Sequence, residues 1–235
     1  MNVYGGKKPF LSIIIPVLNE AENIQATLDS ILETDGAEII VVDGGSKDKT
    51  VEIASRAGVK VVFACPVRAG QLNKGAAEAQ GEILLFLHGD TRLPAGFEVS
   101  VREIMTRHDI SAGAFRLAID SPKKRYQWIA RAANLRSRFL QRPYGDQALF
   151  LKAALFRELG GFPDIPIMED FCLVKTLMQK GRIYILDKKV ITSARRWQRL
   201  GVFRTTIINQ LVVCGFLLGV PVDLLAKFYG VVQKS

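Results

Sequence analysis

The chain lacks the usual glycine signatures of a nucleotide-binding protein. Its first strand-to-helix turn, where a dinucleotide-binding fold carries GxGxxG, reads PVLNEAEN and holds no glycine. GxxxxGK[ST] is missing as well. The two common cradles of backbone amides for phosphate are thereby excluded, and an NAD-dependent dehydrogenase is disfavoured with them. Cysteine is scarce: Cys65, Cys172 and Cys214 are scattered, with no CxxC. That argues against a disulfide framework or zinc site and favours a reducing, cytoplasmic compartment. Long apolar runs are lacking too. The one near the start follows a polar, basic opening and is broken by Pro16, so it reads as a buried strand and not a secretory signal. The last apolar segment, Ile207 to Val222, contains Asn209, Gln210 and Pro221 and falls short of the roughly 20 residues a spanning helix needs. Interfacial docking or packing on the core is the expectation there.

Acids are missing where bases gather. Between Ser121 and Arg142 stand Lys123, Lys124, Arg125, Arg131, Arg136, Arg138 and Arg142 with no aspartate or glutamate. A second acid-free stretch holds Arg195, Arg196, Arg199 and Arg204. With a net charge of +9, anionic partners follow: phosphorylated substrates, membrane headgroups or nucleic acid. The bland alternative is a solvated helix face. Two basic runs flanking an apolar C-terminal segment keep a peripheral membrane contact open.

What is present reads as one α/β domain. The length of 235 residues, 49% hydrophobic and 23% charged, suits a single globular unit with a substantial core. LSIIIPVL, AEIIVVD, VKVVFA and EILLFL are strand-like, and helical patterns separate them. Such β-α repetition predicts a Rossmann-like, mostly parallel sheet flanked by helices, with ligands at the carboxyl ends of the strands. Residues 9–94 form the nucleotide-binding half, 95–199 the acceptor half, and 200–235 a C-terminal apolar helical segment. Asn19 is expected to cap the first helix, and Ser46 or Asp48 the second.

Every strand end carries a polar landmark. Asn19 and Glu20 follow the first run, Asp43 the second, Arg68 the third on a loop, and His88 and Asp90 the fourth. Asp90 is the natural metal ligand, able to hold a hard cation that also bridges diphosphate oxygens. His88 could add a second ligand or touch the nucleotide; a hydrogen-bonded histidine in a capped turn is the competing view. Asp43 could accept from a base or ribose, or stabilise the GGSKD turn. Glu20 could be an ordinary first-turn acid, and Arg68 could pair with a phosphate or be merely solvated. Glu169 and Asp170 open a helix, either as dipole-matched acids or as the source of a general base. Asp146, in Gly145-Asp146-Gln147, is equally ambiguous.

The segments SIIIPVLNEAENI, VVDGGSKDKT, RAGQLNKGAAEAQGEILLFLHGDT, YGDQALFLK and MEDFCLVKTL, in that order, resemble family 2 glycosyltransferases of GT-A fold, especially the small soluble members. The resemblance implies transfer of a sugar, with inversion, from a nucleotide-diphosphate sugar (a UDP-sugar favoured) to an acceptor hydroxyl. It implies that Pro16 to Glu20 line the nucleotide, with Pro16, Asn19 and Glu20 among the contacts. It further implies that Asp43 and Asp48 bind the base side, and that Arg68 and Asn73 of RAGQLNKG bind the nucleotide sugar. Asp90 becomes the second aspartate of DxD, Asp146 the acceptor-side aspartate, and Asp170 the base of the ED motif. Glu169 and Arg196 join the binding set. A divalent cofactor, Mn2+ or Mg2+, is implied. His88 replaces the first DxD carboxylate, which shifts preference toward manganese, a better acceptor of nitrogen ligands. Ser193 stands where processive members have the glutamine of QxxRW, which argues against polymer synthesis. The acceptor is unknown, a lipid-linked one included. Rivals are a peripheral membrane protein that binds nucleotide sugar or lipid phosphate without turnover, and an RNA-binding protein. The latter has little support, because charge alone secures only non-specific affinity.

Overall fold

The computed structural model describes residues 8–234; the polar start up to Lys7 lies outside the described residues. Four strands form its parallel half: β1 (Leu11–Val17), β2 (Ala37–Asp43), β3 (Lys60–Phe63) and β4 (Ile83–Phe86). The unbroken apolar runs of β1, β2 and β4 follow from burial on both faces, whereas β3 is an edge strand with Lys60 and Phe63 exposed. Ile13, Ile15 and Val17 of β1 pack into one core and Ile14 into the other, all essentially inaccessible. The sheet order is β3-β2-β1-β4-β7-β6-β8-β5. β7 (Phe150–Lys152) runs antiparallel between β4 and β6 (Ile110–Asp120), and β8 (Arg182–Ser193) lies parallel to β6. The mixed second half is where a strictly repeating β-α pattern ends.

Helices α1 (Ile24–Asp29), α2 (Thr50–Arg56) and α3 (Arg68–Glu78) join the parallel strands. α4 (Phe97–Met105), α5 (Lys124–Leu140), α6 (Ala153–Glu158) and α7 (Glu169–Lys180) follow. Then come α8 (Arg195–Leu200), α9 (Val202–Leu217) and α10 (Val222–Lys234). α9 and α10 pack together as a hairpin, turning at Gly219, whose φ of 82° suits glycine.

Several expectations change. Asn19 does not cap α1; its φ is 56° and the helix begins after Asn23. Lys49, not Ser46 or Asp48, precedes α2, although Asp48 still accepts the Thr50 N–H at 3.0 Å. Arg68 is no loop residue but the first residue of α3. β8 runs through Asp187, Lys188 and Lys189 without ending, with an irregularity opposite Phe115 and Arg116. The short β5 (Thr91–Arg92) pairs antiparallel with β8.

α3 lies tight on the sheet because Gly75 has no side chain. A Cβ there would come within 2.5 Å of Ile14 Cγ2 and 2.9 Å of Val42 Cγ2. Both neighbours are buried, β-branched and unable to step aside. Gly75→Val is expected to cost at least about 1–3 kcal/mol through overpacking. Urea denaturation followed by circular dichroism would check this through a lowered midpoint.

Candidate active site

The carboxyl ends of β1 and β2 stand side by side, Val17 opposite Asp43. The loops beyond them are stitched together by the predicted residues. Asn19 accepts the Lys47 N–H at 2.8 Å, and its own N–H donates to Ser46 Oγ at 2.8 Å. Asp48 accepts from the Ala21 N–H at 3.1 Å. The Thr50 hydroxyl, and then these backbone donors, hold the Asp48 carboxyl below its ordinary value. Half-buried Pro16 leads into this corner from β1. Asp43 is buried at the tip of β2. Its Oδ2 accepts from Gly45 and Ser46 at 2.8 and 2.9 Å, whereas buried Oδ1 has no partner. An orphaned carboxylate oxygen at a strand end is a ready acceptor for a ligand N–H or O–H. Glu20 is tied to Arg195, whose Nη2 lies 2.7 and 2.8 Å from its two oxygens.

Asp90 lies in the same neighbourhood, close enough to Arg195 to reinforce that guanidinium's charge. Its Oδ1 receives only long contacts, from the Thr91 hydroxyl at 3.3 Å and the Thr192 hydroxyl at 3.4 Å. Lone pairs therefore remain for a cation. Among the described residues no group of three or more His, Cys, Asp or Glu could hold a metal.

The second group of predicted residues meets in a cavity of about 320 Å³. Arg68, His88, Asp146, Glu169, Asp170 and Arg196 line it, brought from α3, the end of β4, the turn after α5, the start of α7 and α8. Arg68 is set by its helix: Gln71, one turn on, donates from Nε2 to the carbonyls of Val17 at 2.9 Å and Val42 at 2.8 Å. The Arg68 guanidinium then touches His88 Nε2 through Nη2 and lies 3.3 Å from Glu169 Oε1 through Nε. The Gly145 N–H donates to Asp170 Oδ2 at 2.7 Å. A Cβ on Gly145 would fall 2.6 Å from Arg68 Nη2 and 3.2 Å from both His88 Nε2 and Asp170 Oδ2. Those three side chains thus converge on one small volume that only glycine leaves open.

Charge is unevenly settled here. Burial, then the charges of Arg68 and Arg196, hold the His88 pKa well below the ordinary histidine value. The neutral ring can accept from Arg68. A metal at Nε2 would have to displace that guanidinium. Burial raises the carboxyl of Asp146, with Asp170's charge adding to it and Arg136 opposing. Burial likewise raises Glu169, opposed by Arg68. Asp146 Oδ1 and Arg196 Nε are both buried without a hydrogen-bond partner.

Asn73 is placed otherwise than the resemblance implies. Its carboxamide donates to the Phe162 carbonyl at 2.8 Å and accepts the Phe162 N–H at 2.9 Å, so both ends are consumed in clamping α3 to a loop. Sequence reasoning missed Tyr144, Asn209 and Tyr229 as lining residues. Asn209 accepts from Arg196 Nη2 at 2.9 Å, and the Arg196 guanidinium stands 4.9 Å over the Tyr229 ring. The signal for Asn209 was an amide inside an otherwise apolar segment.

The sequence pattern of glycosyl transferase family 2 matches residues 12–157, more than half of the chain. The chain belongs to that family. Its fold is the GT-A fold. A PGL/p-HBAD biosynthesis glycosyltransferase of Mycobacterium bovis is 32% identical over 164 residues, 66% of this chain and 63% of that protein. A glycosyltransferase of Haloferax volcanii, AglE, is 38% identical over 93 residues, covering 35% of this chain and 31% of that one. The chain thus spans under two thirds of the length of these curated relatives. Among solved structures, a Pyrobaculum calidifontis mannosyltransferase in complex with GDP-Man and Mn2+ aligns with a TM-score of 0.63 at 21% identity, over 86% of this chain and 65% of that one. Glucosyl-3-phosphoglycerate synthase of Mycobacterium tuberculosis, with Mn2+, UDP and its glucosylated product, aligns with a TM-score of 0.63 at 23% identity. That match covers 87% of this chain and 80% of the synthase.

Asp146 makes the charge imbalance testable. Its folded-state pKa is raised, so ionisation opposes folding. The stability it contributes below the ordinary aspartate range is lost as pH rises through the raised value. Asp146→Asn cannot ionise and is expected to melt above the parent protein at pH 7, with the gap closing toward pH 4. Thermal melts across that range would read it.

Proposed function

We propose that this chain acts as a glycosyltransferase, using a nucleoside-diphosphate sugar, a uridine donor first, and transferring the sugar with inversion to an acceptor hydroxyl. The observation that carries this is the convergence of the Asp170 carboxylate and the Arg68 guanidinium on Gly145 in one cavity. Asp170 takes the acceptor's proton as the hydroxyl oxygen attacks the anomeric carbon. The bond to the diphosphate breaks on the opposite face, and its electron pair leaves on the phosphate oxygen. Arg68, with Arg196 beside it, offsets the charge that grows there. Asp43 offers its unpartnered Oδ1 to the nucleoside. Asp90 would hold a divalent cation, Mn2+ or Mg2+, which when bound neutralises diphosphate charge. Similar structures carry UDP, GDP-Man and Mn2+, which supports a nucleotide donor and a divalent metal while leaving the base to a screen.

Asp170→Asn is expected to lower turnover about a hundred- to ten-thousand-fold, with donor affinity kept. Calorimetric titration of UDP- and GDP-sugars with and without Mn2+, beside a transfer assay, would test both halves. Near-normal turnover would remove Asp170 from the role.

A lipid-linked acceptor presented at a membrane surface fits the C-terminal hairpin. Its inner side supplies Asn209, Val212 and Tyr229 to the cavity wall, and Thr205, Ile208 and Leu225 are buried. Its outer side exposes Phe203 and Leu218 at 84% each, and Ile207, Leu211, Leu224 and Phe228 are exposed as well. Arg195, Arg196, Arg199 and Arg204 adjoin this face in sequence. Among the described residues no helix is long and apolar enough to cross a membrane, so contact would be peripheral, apolar side chains entering the interface and bases meeting anionic headgroups. Burying each such side chain is worth about 1.5–3 kcal/mol. The double change Phe203→Ser with Leu218→Ser is expected to weaken co-sedimentation with phosphatidylglycerol vesicles at least about tenfold. Unchanged sedimentation would count against a membrane-facing hairpin.

A further inference from the structure

A second cleft, of about 560 Å³, lies apart from the active site and shares none of its lining residues. Four arginines line it: Arg116 from β6, Arg131 and Arg138 from α5, and Arg182 from β8. A single carboxylate, Asp187, faces them. It stands 3.7 Å from Arg116 and is 90% exposed, so water screens most of its charge. Arg182 leans on Asp109 at 3.6 Å, outside the lining set. Among the described residues neither Arg131 nor Arg138 has a carboxylate within ion-pair distance.

The arginines are not what holds the cleft together. α5 is tied to β6 by Asn134, whose carboxamide accepts the Leu117 N–H at 2.7 Å and donates to the Leu117 carbonyl at 2.9 Å. It is tied to β8 by Gln141, which accepts the Ile183 N–H at 3.0 Å. Four guanidiniums around a concavity repel one another, and a concave wall of low dielectric focuses the field they make. The acid-free stretch from Ser121 to Arg142 keeps that repulsion uncompensated within α5. A guanidinium's planar fork matches phosphate oxygens two at a time.

We propose that the Arg116, Arg131, Arg138 and Arg182 cleft is a binding site for a ligand carrying two or more phosphate groups. The shared chemistry is clustered phosphate oxygens; the source is either a soluble polyphosphorylated molecule or the headgroup of an anionic lipid. The site is independent of the donor pocket, so its failure would leave the proposed transfer untouched.

Isothermal titration of the whole chain with inorganic tripolyphosphate, and flotation with vesicles containing a phosphatidylinositol phosphate, would test the assignment. Wild type, Arg68→Gln and two cleft variants would be compared: R131Q with R138Q, and R116Q with R182Q. Two pairs from different elements guard against one failing to fold, and circular dichroism checks each. Charge-assisted hydrogen bonds are worth enough that losing two arginines should weaken binding at least about tenfold. Tripolyphosphate binding that drops in both cleft pairs and persists in Arg68→Gln supports a soluble ligand. Vesicle binding with that same pattern, without tripolyphosphate binding, supports the lipid source. Binding unchanged in the cleft pairs, lost equally in Arg68→Gln, or absent for both probes overturns the proposal.

Discussion

The Arg68 guanidinium is the contact around which the active-site cavity is organised. It touches the neutral imidazole of His88 with one nitrogen and approaches the buried carboxyl of Glu169 with another. Burial drives both neighbours toward their uncharged forms. A cation held there keeps Glu169 partly compensated, and its first-turn place on α3 is secured by Gln71 hooking two strand-end carbonyls. Without that hook the guanidinium would have no fixed relation to the sheet. The alternative of burying Glu169 beside Asp170 with no positive charge would cost several kcal/mol.

That arrangement divides the polar landmarks into two groups. Asn19, Glu20, Asp43, Asp48 and Asp90 belong to a corner built by the ends of β1 and β2 and the start of β5, with Arg195 as its cation. Asp146, Glu169, Asp170 and Arg196 belong to the cavity, where Arg68 and His88 form the boundary. The proposed sugar transfer would use that division, because a donor must be held on one side of the anomeric carbon and the nucleophile on the other. Two carboxyls in the cavity are shifted upward by desolvation, whereas Asp170 takes N–H donors from Gly145 and Phe171. Neighbouring acids can thus serve different purposes because their surroundings differ.

Much of this was legible before any coordinates. The four apolar runs became β1 to β4 with little change; β1, β2 and β4 are buried on both faces and so need continuous apolar residues, while β3 lies at the sheet edge. Asp170, Asp146 and Arg68, each a candidate site residue by sequence, line one cavity. Less legible was anything that depends on a distant partner. Asp187, Lys188 and Lys189 look like a break, yet β8 continues through them because its polar side chains there face solvent and Lys188 reaches the carbonyls of Ala95 and Gly96. Asn73 carries a familiar pattern, but its carboxamide is spent on Phe162, 89 residues away. Tyr144 and Tyr229 gave no local sign of lining a cavity.

The chain of residues by itself determined the fold class, the succession of strands and helices in the first half and the chemical types available at each strand end. Periodicity and punctuation are local properties, and they are written in consecutive residues. Only the tertiary structure decided which of those polar ends face one another, that Arg68 opens a helix beside His88, and that four arginines from three elements share a second cleft. Those outcomes depend on packing between segments far apart in the chain, where the geometry of contact is set by the whole sheet and is written in no single stretch.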